Sequence, residues 1–525
     1  MSKWKVVALA LLVGALGCSR PYDVIIRGGQ VLDGTGAPAV KADVGVRGGK
    51  IVRIGRIPEN AKARAVVDAA GMIVAPGFID IHTHTERKLL RYPDIRNYTS
   101  QGVTTVIGGN CGGSPLPIGA YFARAESTKI AVNLALLVGH NTVRRKVMGS
   151  ENRAPTPEEL EKMKALVRRA MEDGAIGMST GLKYIPGAYA KTDEVVALAK
   201  VVAEYGGIYA THMRDEGRGL FPSIYETLTI GREANIPVEI SHFKAVGKPM
   251  WGSSRRMLAI VDSARAAGMD VVYDQYPYTA TSTTLGVLLP AWAFAGGRKV
   301  YLKKWKDPAI RAKIKAGIID NIVHDRGGGD PASVVIVESE YDSTLDGLNL
   351  AQITRRFFGK VTLENAAETV IRLLEHGRHT CVYHCLNEED VQRILKHPVG
   401  LVCSDGHTVS PDESYPHPRN YGTFPRVLGH YVRELHLLSL PEAVRKMTGA
   451  VADRLGFKHR GKLKEGNWAD IVVFDPNTII DRATWDNPKQ FSVGINQLLV
   501  NGVFVIKDGQ FTGKRPGMVL KRGEI

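Results

Sequence analysis

Cysteine is scarce: five residues in a chain of 525. Cys111, Cys381, Cys385 and Cys403 are too few and too clustered for a disulfide framework, even in an oxidising compartment. No apolar run reaches the ~20 residues that a membrane-spanning helix needs. Internal repeats and low-complexity tracts are also lacking. With 44% hydrophobic and 23% charged residues, the chain is neither a disordered nor a collagen-like polymer. Aromatics make up only 7% and do not interleave with basic clusters such as Arg144-Arg145-Lys146 or Lys303-Lys304. The excess of 69 Lys and Arg over 53 Asp and Glu, a net +16, therefore reads as a basic solvated surface and not as a nucleic-acid interface.

What is present begins with an N-terminal targeting segment. Lys3 and Lys5 precede an apolar run from Val6 to Leu16, the length of a secretory h-region. The run ends in Ala15-Leu16-Gly17-Cys18-Ser19, similar to a bacterial lipoprotein signal in which the cysteine, here Cys18, is lipidated after cleavage; a plain signal peptide is the other reading. Residues 1–17 are thus expected to be a leader. Export to the bacterial cell envelope follows, lipid-anchored or periplasmic, with membrane contact only through the anchor.

From Tyr22 to Val74, short strands separated by glycine turns (Asp23–Arg27, Asp43–Arg47, Ile51–Ile54, Ala65–Asp68) predict antiparallel sheet. After Pro76 the pattern changes to eight apolar runs alternating with amphipathic helical stretches such as Pro157–Met171 and Thr192–Glu204. The runs are Phe78–Ile81, Val103–Ile107, Asn133–Val138, Ile176–Ser179, Ile208–Thr211, Val238–Ser241, Val271–Asp274 and Leu401–Ser404. That alternation predicts an α/β fold, a TIM-type (β/α)8 barrel over 76–458. A stretch of about 280–340 is too long for a simple connection and reads as an insertion near the barrel mouth. Strand patterns return in Ala469–Phe474, Gln497–Val500 and Val503–Lys507. A small β-sandwich built from both chain ends, 18–75 and 459–525, is therefore expected.

Ligand-type residues follow these strands. His82 and His84, spaced i and i+2, point to one side of an extended segment and can converge on an ion. Cys111, His212, His242 and Asp405 follow four other strands. Five strands thus deliver thiol, imidazole or carboxylate to one rim, the C-terminal one, where such barrels keep their catalytic groups.

These residues sit in recognisable strings. Pro76-Gly77-Phe78-Ile79-Asp80-Ile81-His82-Thr83-His84 and Gly466-Asn467-Trp468-Ala469-Asp470 resemble the metal-dependent amidohydrolase superfamily. Gly109-Asn110-Cys111-Gly112, Thr211-His212-Met213-Arg214, Ser241-His242-Phe243-Lys244, Tyr276-Pro277-Tyr278, Ser404-Asp405-Gly406 and His417-Pro418-Arg419 resemble the N-acyl-D-amino-acid deacylases within it. The resemblance implies one tightly bound Zn2+ on Cys111, His212 and His242, with Cys111 where the hydantoinase branch has a carboxylated lysine. His82 and His84 are implied to form a second, weaker metal position or to orient the bound water. It also implies Asp405 as general base, and Arg419, Lys244, Tyr276 and Ser282 as a cradle for a small substrate bearing a carboxylate. Arg214 and Glu216 are weaker positions for orienting or pairing, and His140 is as readily a satisfied rim histidine. Glu86 departs from the aspartate expected after the His-x-His. The segment between Asp405 and His417 is longer than usual, which bears on pocket preference. The implied activity is hydrolysis of N-acyl-D-amino acids. A cyclic-amide hydrolase and a non-catalytic binding protein on the same fold are the alternatives.

Overall fold

The computed structural model describes residues 21–411 and 415–523; the leader and Cys18 lie outside them. Eight parallel strand positions form the barrel: Phe78–Asp80, Val103–Gly108, Asn133–Leu136 continued by Val138–Gly139, Gly177–Gly181, Ile208–His212, Val238–Ile240, Val271–Gln275 and Gly400–Val402. The third is broken at Leu137. Its first half pairs with Val103–Gly108 and its second with Gly177–Gly181, so the barrel splits into two hydrogen-bonded sheets there. A parallel bridge between Thr83 and Gly406 links the first strand to the last. All six residues of Val103–Gly108 are buried, as expected where a parallel strand has the barrel interior on one face and helices on the other.

The surrounding helices follow local rules. Pro157–Glu172 opens with a capping box in which Thr156 Oγ1 accepts from Glu159 N and Glu159 accepts from Thr156 N. Thr192–Glu204 buries Val195, Leu198, Ala199 and Val202 on one stripe. Among the described residues no helix is long and apolar enough to cross a membrane.

The insertion is larger than its sequence suggested. It is built on an antiparallel sheet, Thr281–Thr284, His379–Tyr383 and Val334–Ser339, with His379–Tyr383 in the middle. The module therefore continues past 340 to about 384. Helices Leu350–Phe358 and Leu363–His376 carry the same amphipathic signature as barrel connections, which hid this extension. Trp305, Ile314, Ile318, Ile336, Val370 and Tyr383 give the module a core.

The small β domain is one nine-stranded sheet drawn from both chain ends. It is mixed and not purely antiparallel: Tyr22–Val31 pairs in parallel with Ala63–Asp68 and with Ile73–Pro76. Ile73–Pro76 in turn pairs antiparallel with Ile471–Phe474, which joins the two ends. Val24, Val44, Ile51 and Val67 from one end pack with Ile471, Val473 and Leu499 from the other.

Candidate metal centre

The five strand ends converge. Cys111 Sγ lies 3.3 Å from His82 Nε2, 3.5 Å from His242 Nε2 and 3.7 Å from His212 Nδ1. Asp405 Oδ1 lies 3.2 Å from His84 Nε2 and 3.5 Å from His82 Nε2. Two ligand groups result, Cys111–His212–His242 and His82–His84–Cys111–Asp405, each with donor atoms within 4.8 Å of one another and with Cys111 common to both. Cys111, His242 and Asp405 have left-handed backbones, φ of 50°, 37° and 50°. For non-glycine residues this conformation is costly, and at strand exits it turns the side chains toward one another. Gly112 (φ 76°) must lack a side chain, because a Cβ there would lie 2.1 Å from Asn141 Oδ1.

Charge prepares these atoms for a cation. Burial alone would push the Cys111 thiol up, but the charges of His82 and His242 hold it well below the usual thiol range. Burial brings His212 down to about 4, so its imidazole is neutral at pH 7. A thiolate with imidazole nitrogens, one of them already neutral, forms a donor set suited to a borderline-soft divalent ion such as zinc, whose binding displaces the protons the other imidazoles carry. Burial also opposes charge on Asp405, yet Arg419 overrides it and holds the carboxyl well below the carboxylate range.

A buried layer behind these donors orients them. Glu216 Oε1 lies 3.0 Å from His242 Nδ1 and its Oε2 3.4 Å from His212 Nε2, so one carboxylate faces the second ring nitrogen of two histidines. Lys244 and Arg326 both donate to Glu216. Asp274 serves His82 in the same way, Oδ2 to Nδ1 at 3.3 Å, while its Oδ1 accepts from His242 N and Cys403 Sγ. In sequence Glu216 stands out only as a weak pairing position, and Arg326 and Asp274, which ends the strand run Val271–Asp274, carry no motif of their own. The last could have been flagged as another carboxylate at a strand's C-terminal end.

The proposed carboxylate cradle is brought together in part. Arg419 Nη1 is 2.8 Å from Asp405 Oδ2, and its guanidinium lies 4.7 Å from the centre of the Tyr276 ring. Both are buried, and the Tyr276 hydroxyl and Arg419 Nε have no hydrogen-bond partner among the described residues. Buried donors left open beside a metal centre point to a ligand. Lys244 differs from the expectation: its ammonium is committed to Glu216 and to the His242 carbonyl, with His242 Nδ1 at 2.7 Å, so it braces the metal ligands. Ser282 is half-buried on the first strand of the inserted sheet. His140 bonds Glu194 at 2.8 Å and is a satisfied buried histidine. Arg214 pairs with Glu226. Glu86 is buried beneath the rim.

A parallel barrel with a Cys/His/Asp centre at the C-terminal ends of its strands is a metal-dependent hydrolase fold. The chain belongs to the amidohydrolase family, whose profile matches residues 65–272 and 364–506. It is 40% identical over 530 residues to D-aminoacylase of Alcaligenes xylosoxydans xylosoxydans, covering 96% of this chain and 98% of that one. It is 36% identical to N-acyl-D-aspartate deacylase of the same organism, over 96% and 95% of the two chains. The crystal structure of N-acyl-D-glutamate deacylase from Bordetella bronchiseptica, complexed with zinc and a phosphonate mimic of the tetrahedral intermediate, superposes with a TM-score of 0.82 at 38% identity, covering 96% of this chain and all of that one. Dihydropyrimidinase from Brevibacillus agri NCHU1002, 16% identical with a TM-score of 0.58 over 95% of this chain and 98% of its own, shares the fold.

Proposed function

We propose that the protein hydrolyses the amide bond of N-acyl-D-amino acids, giving a carboxylate and a free D-amino acid, with zinc as its metal. The observation that carries this is Asp405, an ionised carboxylate held between the metal-facing His84 and the open cationic donor Arg419. Cys111, His212 and His242 would hold the tight ion, with the His82–His84–Cys111–Asp405 group as the weaker position. Zinc bound there supplies Lewis acidity, lowering the pKa of water toward ~7 and polarising the carbonyl.

Arg419 and the Tyr276 hydroxyl receive the substrate carboxylate. Burial keeps the Tyr276 phenol protonated and hence a donor. As Arg419 turns to the substrate it loosens its grip on Asp405, whose basicity rises when it is needed. Asp405 accepts the proton of the attacking water and passes it to the departing amine nitrogen. The L/D distinction rests on the relatives named above. Cys111 in place of a lysine ligand disfavours the cyclic-amide reading. Export, read from Lys3, Lys5 and the apolar run after them, makes D-amino-acid-containing peptidoglycan fragments a natural substrate source.

The test is amine release by zinc-loaded protein from N-acetyl-D- and N-acetyl-L-amino acids and a hydantoin, with Asp405→Asn alongside. We expect turnover of D-substrates only, and a loss of about 10²–10⁴-fold in kcat for Asp405→Asn with zinc content unchanged. Hydantoin opening, or turnover of L-substrates alone, would overturn the reading.

A further inference from the structure

An acid lies inside the barrel, beneath the metal centre, and the catalytic steps do not use it. Along strand Val238–Ile240, Val238 and Ile240 belong to the core shared with the helices, so the alternation of a strand turns Glu239 inward. The interior it enters is apolar, built from residues such as Ile79, Ile107, Ile176, Ala210 and Leu401. Glu239 is 1% exposed, and no donor among the described residues reaches either of its carboxyl oxygens. A carboxyl buried in this way is costly unless something holds it.

What it meets is a second carboxyl. Glu239 stands opposite Val272 on the next strand, and Asp274 lies two residues further toward the metal rim, on the same face. The two side chains share a hydrogen bond. Two carboxyls can bond only if one of them carries a proton, and the surroundings say which. Asp274 Oδ1 accepts from His242 N at 2.6 Å and from Cys403 Sγ at 2.8 Å, and its Oδ2 faces His82 Nδ1 at 3.3 Å. Asp274 is thus the acceptor, and Glu239, offered no donor, is the acid. Burial first, then the charge of Asp274, push the Glu239 carboxyl well above the usual carboxylate range, against the charges of Arg454 and His82. Arg454 is committed elsewhere, to Asp270 Oδ1 at 2.7 Å and to the Val238 carbonyl.

Asp274 in turn stands behind His82, whose other ring nitrogen, Nε2, lies 3.3 Å from Cys111 Sγ. A carboxylate held from one side only can swing about its own axis. A donor from below stops that swing and keeps Oδ2 on the imidazole. We propose that Glu239 is a positioning residue: as a neutral acid it donates to Asp274 and so holds His82 in place for the second, weaker metal position. The inference rests on reading His82, His84, Cys111 and Asp405 as that position.

The test compares wild type with Glu239→Gln, whose amide still donates without charge, and Glu239→Met, which is of similar length and has no donor. Neither substitution leaves a charge without its partner, so both variants should fold. Zinc is titrated by calorimetry into protein already carrying one equivalent, which reads the weaker position alone, and metal analysis counts the tight ion. Infrared difference spectra at pH 7 follow the C=O stretch of protonated carboxyl groups.

Glu239→Met is expected to weaken the second ion about tenfold, the lower end of the range for groups behind a ligand, and to keep the first. Glu239→Gln should bind both ions like wild type, and its spectrum should lack one protonated-carboxyl band that wild type shows. Unchanged second-ion affinity in Glu239→Met overturns the proposal, as does equal weakening of both ions, the mark of a merely structural role. A loss in Glu239→Gln as large as in Glu239→Met also overturns it, because a charge and not a donor would then be what is needed. So does an unaltered infrared spectrum in Glu239→Gln. Wild-type protein that takes up a single ion refutes the weaker metal position itself, and this role with it. That failure is distinguishable, because the infrared band still disappears in Glu239→Gln.

Discussion

At the scale of single residues, the centre is a set of donors whose second atoms are already spoken for. Glu216 is the clearest case. It is buried, faces both His212 and His242, and is kept ionised against burial by Lys244 first and by the two histidines. Carboxylates in this position fix the tautomer and tilt of a ligating imidazole. Glu216→Gln is therefore expected to weaken zinc binding about 10–100-fold, read by chelator competition at fixed pH. It should also lower stability, because Lys244 and Arg326 would be left buried without their acid. Unchanged zinc affinity would remove Glu216 from the role given to it here. This residue also marks what a sequence reading can reach. His82, His84, Cys111, His212, His242, Asp405 and Arg419 were legible because each sits in a short string at a strand end. Arg326 was not, because its tie to Glu216 spans 110 positions and exists only once the inserted module folds down. Lys244 was legible as a position beside a ligand, but its ties to Glu216 and His242 were not, because a lysine two residues after a ligand shows its partners only once the neighbouring strand ends are in place.

At the scale of elements, the barrel strands were legible because parallel strands buried on both faces are near-continuous apolar runs, which the eight segments are. Pairing partners were less so. The parallel neighbours of Tyr22–Val31 and the long inserted sheet depend on contacts far apart in sequence. How helices fasten to strands was also hidden, and Lys446 shows it. It lies fully buried in helix Leu440–Met447, and its amine donates to the carbonyls of His397 and Gly400, at the start of the last barrel strand. Burial lowers its pKa to about 7, against ~10.4 for an unperturbed lysine. Between those values the unfolded chain binds the extra proton, so unfolding becomes more costly as pH rises. Below about pH 7 both states are protonated and the buried charge exacts its full penalty. Relative to Lys446→Met, which lacks this titration, the wild type should gain stability from pH 7 to 10, at up to roughly 1 kcal/mol per pH unit. Parallel denaturant curves at pH 6, 8 and 10 check it; a constant difference would mean that the amine titrates normally.

At the scale of the molecule, the question is whether barrel and β domain are two folding units or one. The packing argues for one. Phe78 on the first barrel strand stacks on Phe424 at 5.5 Å and meets Phe474 of the β domain at 6.4 Å. One apolar core runs from Val103, Leu134 and Tyr209 in the barrel to Ile73, Val472, Leu498 and Val500 in the sheet. A buried polar knot crosses the same boundary. Asn133, on the third barrel strand, donates to Asp470 Oδ2 at 3.1 Å, and Asn501 Nδ2 donates back to Asn133 Oδ1 at 2.8 Å. Asp470 also accepts from Asn501 N and pairs with buried Arg460. Removing Asp470 leaves Arg460 buried without its acid and Asn133 short of an acceptor, a loss of about 3–5 kcal/mol. If the two parts form one cooperative unit, Asp470→Ala should shift a single unfolding transition to lower denaturant, the same by tryptophan fluorescence, circular dichroism and loss of bound zinc. The metal centre at the opposite rim should keep its zinc and turnover in the folded protein. Zinc release at unchanged denaturant, after the rest of the signal has moved, would show instead that the barrel stands without the sheet wrapped beneath it.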